Sequence, residues 1–496
     1  MLPVSHVKKY SNWTTDLISL GFICLIFYLL WLGSYPLFTP DEGRYSEVAR
    51  EMVATGDYIT PRVNGVAFLD KPVLYYWLQA LAIGLFGIKE WAIRLFPALA
   101  GIFGCLITYV CGRYLFNRRT GFMSAIILAA SPLYFCGAHY ANLDLEVAVW
   151  ISASLLLFIT GVQTSHRHLL LAAYVCAAFA FLTKGLIGLA FPILIIGSWI
   201  ALTKRWYLLT KIHLIKGMVI FLAIVLPWYI LVQKANPEFL HYFFVTQQVT
   251  RFLSAEKFNN AMPVWFYLPI VFVGFFPWCG FIIQAFNHAL RGLKQSAQDY
   301  QTELFLILWI SIVFLFFSIP HSKMITYILP IFPAMALLVG NYFSTMWDRA
   351  QNASIFRGMI FVVIMSLLIS AALLILPHYE WEFVTAAFNP YLKKLAIIFI
   401  LSAVFTLLLI KQRKIFPLFL TLTTTTVLFL LTLASGAVYL NNNTAKPLVA
   451  ELKTFIQPED EVVSYHQFHQ DVPMYLERRI TIAADWDSPE IAQHDN

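Results

Sequence analysis

Two short clusters of charge stand close together in a sequence that is otherwise apolar: Thr39-Pro40-Asp41-Glu42-Gly43-Arg44-Tyr45 and Asp70-Lys71-Pro72. Thr39 and Glu42 have the spacing of a capping box, and Pro40 suits a first helical position, so the spacing predicts a helix ending near Thr55-Gly56. Asp41 then falls in the first turn, where free N–H groups and the helix dipole favour an ionised, fixed carboxylate, and Arg44 shares its face. Lys71, directly before Pro72, opens a second helix through Val73-Leu74-Tyr75-Tyr76-Trp77. An ammonium beside free amides suits a phosphate, and the aromatic run can lie against an isoprenoid or acyl chain. Carboxylates and cations at this density beside lipid point to a reaction site. Read singly, the same residues could cap helices and reach phospholipid headgroups.

Other polar residues sit where apolar runs begin. Asn142-Leu143-Asp144-Leu145-Glu146 opens one run and makes Asp144, with Glu146, a candidate second carboxylate, helix capping being the alternative. His321-Ser322-Lys323 with Tyr327 opens another, and the four-residue spacing of Lys323 and Tyr327 puts both on one helical face as a phosphate-binding pair or as interfacial anchors. Gln247, Gln248 and Arg251 lie in a long loop over 233–263 that also carries Phe243, Phe244 and Phe252, which makes it a candidate lid.

The elements that must hold these residues are membrane helices. The chain is 59% hydrophobic, 16% aromatic and only 12% charged, a balance foreign to a soluble protein of 496 residues. Apolar runs of bilayer-crossing length recur about thirteen times, and in hydrocarbon they must be helical. The expected fold is thus an all-α polytopic bundle. Loops carrying Lys8-Lys9, Arg113 with Arg118-Arg119, Arg167, Lys204-Arg205, Arg291 with Lys294, Arg349 with Arg357, and Lys411 with Arg413-Lys414 alternate along the chain, which makes them cytoplasmic. The 36–90 loop, the 233–263 loop and the tail from 441 to 496 then face the other side. The helix after Thr39 is too short to span. Its alternation of Tyr45, Val48, Ala49, Met52 and Val53 with Arg44, Glu47, Arg50 and Glu51 reads as a helix lying in the membrane interface.

The first apolar run lacks a small-x-small exit and reads as a retained helix, not a cleaved leader. The six cysteines (Cys24, Cys105, Cys111, Cys136, Cys176, Cys279) fall in or at the edge of apolar spans with no metal or disulfide spacing. The net charge of +7 is dispersed over many loops and gives no sign of a nucleic-acid partner. P-loop, dinucleotide, His-Glu-x-x-His and Gly-x-Ser-x-Gly motifs are missing. A site facing away from the cytoplasm has no access to nucleotide sugars or ATP, so a group transfer there needs a donor already across the membrane, such as a polyprenyl-phosphate-linked sugar.

Thr39 to Tyr45, Arg50-Glu51-Met52, Gly56-Asp57, Asn64-Gly65, Lys71-Pro72, Tyr76-Trp77, Gly87 to Arg94, Asn142-Leu143-Asp144, Arg251-Phe252 and Thr326-Tyr327-Ile328-Leu329-Pro330 together resemble the bacterial 4-amino-4-deoxy-L-arabinose lipid A transferases. These belong to the wider membrane glycosyltransferases that include dolichyl-phosphate-mannose protein mannosyltransferases. The likeness is densest over the first hundred residues. It implies a GT-C-type bundle of about thirteen transmembrane helices with periplasmic interfacial helices. It also implies an inner-membrane enzyme that transfers a sugar with inversion from undecaprenyl phosphate to lipid A, modifying lipopolysaccharide on the periplasmic face.

The resemblance further implies residue roles. Asp41 matches the essential first-loop aspartate and Asp144 a second acidic position, while Arg44, Lys71 and Tyr327 match positions that bind the donor's phosphate. Glu42, Tyr45, Asp70, Tyr75, Gln248, Arg251, His321 and Lys323 are further substrate-binding candidates. Relatives often carry Glu-Lys-Pro-Pro where this chain has Asp70-Lys71-Pro72-Val73, and a His near Gln248. Those Glu and His positions can hold a metal in a relative, but Gln is a poor substitute for imidazole, so a divalent metal is disfavoured and no cofactor is required. Residues 1–440 are expected to form the transferase domain and 441–496 a small or shortened α/β tail, with a helix from Lys446-Pro447 and strands at Val462 to Tyr465 and Arg479 to Ile482. Two other readings stand: a transferase with a protein or other glycan acceptor, and a transporter or flippase. The latter would place its charges at the membrane midplane in two related halves, whereas here they gather at one face with no repeat.

Overall fold

The computed structural model describes residues 12–250, 262–296, 298–347, 353–378, 385–412, 414–441, 443–465 and 468–483. Among them nine helices are long and apolar enough to cross a membrane: Leu95–Leu115, Leu143–Thr164, Arg167–Lys184, Leu214–Ala235, Gln301–Ser318, Ile325–Trp347, Ser354–His378, Ala386–Ile410 and Ile415–Leu440. Two bent pairs raise the number to eleven at most, short of the thirteen expected. Trp13–Leu29 and Ile187–Thr203 are shorter apolar helices of 17 residues each. At 1.5 Å rise per residue each reaches about 25 Å, less than a typical hydrocarbon core of about 30 Å.

The bent pairs replace two spans expected to be single. Arg118–Ala129 turns by 67° into Pro132–Ala138, because Ser131 is extended ahead of a proline at the first helical position. Val264–Gly274 turns by 104° into Trp278–Gln295 across Pro277, whose missing N–H interrupts the ladder.

Leu143–Thr164 and Ile325–Trp347 are the most enclosed of the spanning helices, so the bundle packs around them. One large apolar cluster joins their side chains to those of Leu95–Leu115, Arg118–Ala129 and Gln301–Ser318. At one end of the bundle Asp16 ties the first helix to its neighbours, accepting from Tyr109 Oη at 2.6 Å, Arg113 at 2.6 Å and Arg118 at 2.6 and 2.7 Å. The first loop lies at the opposite end.

That loop holds the helix Asp41–Thr55, a two-residue antiparallel ribbon pairing Arg62-Val63 with Val66-Ala67, and the helix Leu74–Phe86. The expected capping box does not form. Pro40 occupies the cap position, Glu42 reaches past Thr39 to the Phe38 N–H at 2.7 Å, and the Thr39 hydroxyl donates to the Asn443 carbonyl at 3.0 Å.

Nor does the Asp41–Thr55 helix present its polar face to lipid headgroups, because the tail covers it. Glu47, Arg50 and Glu51 are all buried. Arg50 donates to the Glu477 carbonyl at 3.2 Å, and Arg479 meets Glu51 at 3.2 Å. Asn64 exchanges two hydrogen bonds with the Ile480 backbone, at 2.8 and 2.9 Å. Tyr475 Oη accepts from the Leu37 N–H at 2.8 Å, and Lys446 pairs with Glu90. Within the tail, helix Lys446–Leu452 precedes two parallel strands, Val463–Tyr465 and Thr481–Ala483.

Candidate active site

Glu42 and Arg94 fix where the site stands. Both are fully buried, and the guanidinium grips the carboxylate through two bonds of 2.8 and 2.7 Å while donating to the Leu32, Tyr35 and Pro36 carbonyls. Glu42 also accepts from the Ala141 N–H at 2.6 Å. One buried pair therefore joins the start of the Asp41 helix to the residue just ahead of Asn142 and Asp144. The Glu42 carboxylate thus accepts from Phe38, Arg94 and Ala141 at both of its oxygens.

Asp144 sits in the first turn of its helix, capped as the sequence suggests: the Asn142 side chain accepts from the Asp144 N–H at 2.9 Å. Its carboxylate is shared between the Lys184 ammonium and the Thr326 hydroxyl. Lys184 ends the helix Arg167–Lys184 and stands 4.1 Å from the Tyr327 ring centroid. Three central helices thus converge through one ammonium. Sequence reading missed Lys184, although a signal was there: a lysine between two apolar runs on the side that should be poor in lysine.

Asp41 faces this cluster. It accepts no hydrogen bond among the described residues. Burial pushes its carboxyl above the usual carboxylate range, Arg44 pulls it back, Asp144 adds to the upward push and Lys184 opposes it. Asp41 is therefore a poised carboxylate, set by its electrostatic surroundings and not clamped by hydrogen bonds as the helix-start reading implied.

On the other side of Asp41 lie donors without acceptors. Arg44 Nε and Tyr76 Oη are both sealed from solvent and lack a hydrogen-bond partner among the described residues. Tyr76 is close enough to feel the charges of Asp70, Arg44 and Asp41 together. Tyr45, Tyr75 and Tyr76 form an aromatic wall with ring centroids 5.9–6.1 Å apart. Tyr76 was not among the site candidates by type, yet its hydroxyl completes the donor set with Arg44. Buried donors lacking partners are costly unless an acceptor arrives, and an anion is the acceptor that suits a guanidinium.

Lys71 donates to the Asp70 carbonyl at 3.1 Å, and Asp70 receives Tyr242 Oη at 2.7 Å and Gln247 Nε2 at 3.2 Å. The 233–263 loop is therefore rooted beside Lys71. Its described part runs through Phe239–His241 into the π-helical Tyr242–Thr250, with Phe239, Phe243 and Phe244 packed around Tyr229. The Gln248 side chain and Arg251 lie outside the described residues. Lys323 does not pair with Tyr327: it precedes the helix, is buried, and donates to the Met262 carbonyl at 3.0 Å and to the Pro320 carbonyl. His321 stays exposed beside it, its carbonyl accepting from Met262. The partner of Tyr327 is Lys184.

The architecture recurs in solved proteins. The crystal structure of ArnT from Cupriavidus metallidurans bound to undecaprenyl phosphate matches with a TM-score of 0.84 and 26% identity, covering 96% of this chain and 87% of that one. The chain has the GT-C fold. Archaeoglobus fulgidus oligosaccharyltransferase shares the fold alone, with a TM-score of 0.57 at 12% identity over 98% of this chain and 66% of its own. Residues 70–231 match the family described as dolichyl-phosphate-mannose-protein mannosyltransferase. A relative from Edwardsiella ictaluri, named undecaprenyl phosphate-alpha-4-amino-4-deoxy-L-arabinose arabinosyl transferase, is 31% identical over 361 residues, 71% of this chain and 63% of that relative. The chain spans less than two thirds of the length of the curated relatives it matches first. Sequence and fold alike place it beside the aminoarabinose transferases.

Proposed function

We propose that this chain is a polyprenyl-phosphate-sugar-dependent glycosyltransferase of the inner membrane, working on the periplasmic side, with 4-amino-4-deoxy-L-arabinose as the sugar and lipid A as the acceptor. The observation that carries the reading is the pair of sealed, partnerless donors, Arg44 Nε and Tyr76 Oη, beside a poised Asp41. The names of the relatives supply the sugar and the undecaprenyl phosphate carrier.

In this reading the donor phosphate seats against Arg44, Tyr76 and Lys71, with Tyr327 beyond. An acceptor oxygen attacks the anomeric carbon from the face opposite the phosphate, and the bond from that carbon to the phosphate oxygen breaks with inversion. Negative charge grows on the departing phosphate, so Arg44 and Lys71 stabilise the transition state more than the ground state. A hydroxyl acceptor would pass its proton to Asp41; a lipid A phosphate, already anionic, needs no base, and Asp41 would then hold the acceptor or the amino group of the sugar. Lys184 pairs with Asp144 and opposes the upward push that Asp144 exerts on the Asp41 carboxyl. Mass spectrometry of lipid A from cells with and without the protein tests the reading. Loss of an aminopentose adduct supports it, and unchanged lipid A with altered protein glycans would move the acceptor elsewhere.

A further inference from the structure

A cavity of about 750 Å³ lies at the membrane end remote from Asp41. Tyr300, which precedes the helix Gln301–Ser318, and Tyr342, near the end of Ile325–Trp347, both line it. Fifteen residues of the latter helix separate Tyr342 from Tyr327, a rise of roughly 20 Å. The cavity is thus distinct from the acid–cation site.

One wall is the helix Ile282–Gln295. Ala285 and Ala289 are buried against the bundle, Gln284, His288 and Arg291 line the cavity together with Gly292 and Ile283, and Ile283 and Leu290 are also exposed towards lipid. The facing wall supplies Arg357 and Tyr342, whose hydroxyl is 2.5 Å from Ser354 Oγ. Neither Arg291 nor Arg357 has an acidic partner among the described residues, and no Asp or Glu is among the lining side chains. Gln284 Oε1 is sealed and lacks a donor among the described residues. Beyond this polar end, Leu268, Phe272 and Phe361 line an apolar stretch, and Leu268 and Ile283 are exposed on the lipid-facing surface.

Two guanidinium groups with no acidic partner among the described residues suit an anion, and a sealed carbonyl oxygen suits a hydroxyl donor beside it. An apolar trough leading to the bilayer calls for an acyl chain, which free phosphate does not have. We propose that this cavity binds an anionic glycerophospholipid with a hydroxylated headgroup. Its phosphate lies between Arg291 and Arg357, a headgroup hydroxyl donates to Gln284, and one acyl chain runs along Leu268, Phe272 and Phe361. The volume is of the order of a headgroup with the first part of one chain.

Native mass spectrometry of the full chain in detergent, titrated with phosphatidylglycerol, phosphatidylcholine or inorganic phosphate, tests this. Phosphatidylglycerol should be retained at least fivefold more tightly than phosphatidylcholine, and the Arg291→Ala/Arg357→Ala variant should lose at least fivefold in that retention. The conservative Arg291→Lys/Arg357→Lys variant should keep most of it, and a Phe272→Trp change, which fills the apolar stretch without touching charge, should weaken it. Lys204→Ala/Arg205→Ala, basic residues at the same membrane end but outside the cavity, should change nothing. Equal loss in that control would reduce the effect to surface attraction and overturn the site. Binding of inorganic phosphate with no preference for lipid would overturn the lipid assignment, as would undiminished retention in both the alanine and the Phe272→Trp variants.

Discussion

Asp41 and Lys184 sit on the same electrostatic balance from opposite sides, and this gives the sharpest predictions at the scale of single residues. Asp41→Asn removes charge with almost no change in volume, so transfer should be abolished while the protein still reaches the membrane; near-normal turnover in a purified assay would remove Asp41 from the chemistry. The pH dependence carries a sign. Burial raises the Asp41 carboxyl, so the ionised form is lost, and activity with it, as pH falls through a value above that of a free aspartate. Lys184 opposes that rise and Asp144 adds to it. Lys184→Met should therefore move the acid limb of kcat/KM to higher pH, and Asp144→Asn should move it lower. Limbs that move together, or not at all, would break the coupling of the two carboxylates. On the donor side, Arg44→Ala should weaken donor use by about 1.5–3 kcal/mol, the worth of a charge-assisted contact. Tyr76→Phe should cost about 0.5–1.5 kcal/mol, the worth of a neutral hydrogen bond. Arg44→Lys should rescue only part of the loss, since the planar fork goes with the guanidinium. Donor kinetics unchanged in Arg44→Ala and Tyr76→Phe would empty the proposed phosphate seat.

At the scale of elements, the helix Asp41–Thr55 owes its place to two devices. The buried Glu42–Arg94 pair holds its start, and removing one partner leaves an uncompensated buried charge, so Glu42→Ala should lower stability by about 3–5 kcal/mol in a denaturation series. The tail holds its polar face. A Cβ on Gly43 would come within 2.8 Å of the Asp471 backbone nitrogen, and backbone cannot yield as a flexible side chain can. Gly43→Ala should therefore loosen the tail, read as faster hydrogen exchange across 471–480, and lower turnover through misplacement of Asp41 and Arg44. Exchange and turnover both at wild-type levels would mean the tail does not position the helix.

The sequence makes this helix legible but not its surroundings. Its far end followed from Gly56, a local signal, while its start falls one residue beyond the one that Thr39 and Pro40 mark, at Asp41. The periodicity of Tyr45, Val48 and Met52 set its apolar face, yet nothing local could say that Arg50 and Glu51 meet residues more than 400 positions away in the chain. A polar face buried under a tail and one facing headgroups have the same pattern. Lys323 and Lys184 make the same point. Four-residue spacing to Tyr327 favoured Lys323, but the helix starts only at Ile325, and the ammonium that reaches Tyr327 arrives from another helix.

At the scale of the whole molecule, every functional step depends on which face of the membrane the first loop occupies. The bundle sets Asp41, Asp144, Lys184 and Tyr327 at one end and Asp16, Arg113 and Arg118 at the other, so a single orientation decides all of them. Short loops rich in Lys and Arg stay cytoplasmic, so the proposed reading puts the Arg118 end on the cytoplasmic side and the Asp41 end on the periplasmic side. Asp57, half-buried in the first loop, and Phe455, exposed in the tail, lie at the Asp41 end. In a background lacking the six native cysteines, Asp57→Cys and Phe455→Cys should react with a membrane-impermeant maleimide once the outer membrane is permeabilised. Arg118→Cys should stay protected until the inner membrane is broken. Protection at Asp57 and Phe455 with labelling at Arg118 would invert the protein. The acid–cation site would then face nucleotide sugars, a lipid-linked donor would no longer be required, and the roles given to Arg44, Lys71 and Tyr76 would have to be argued from a different substrate.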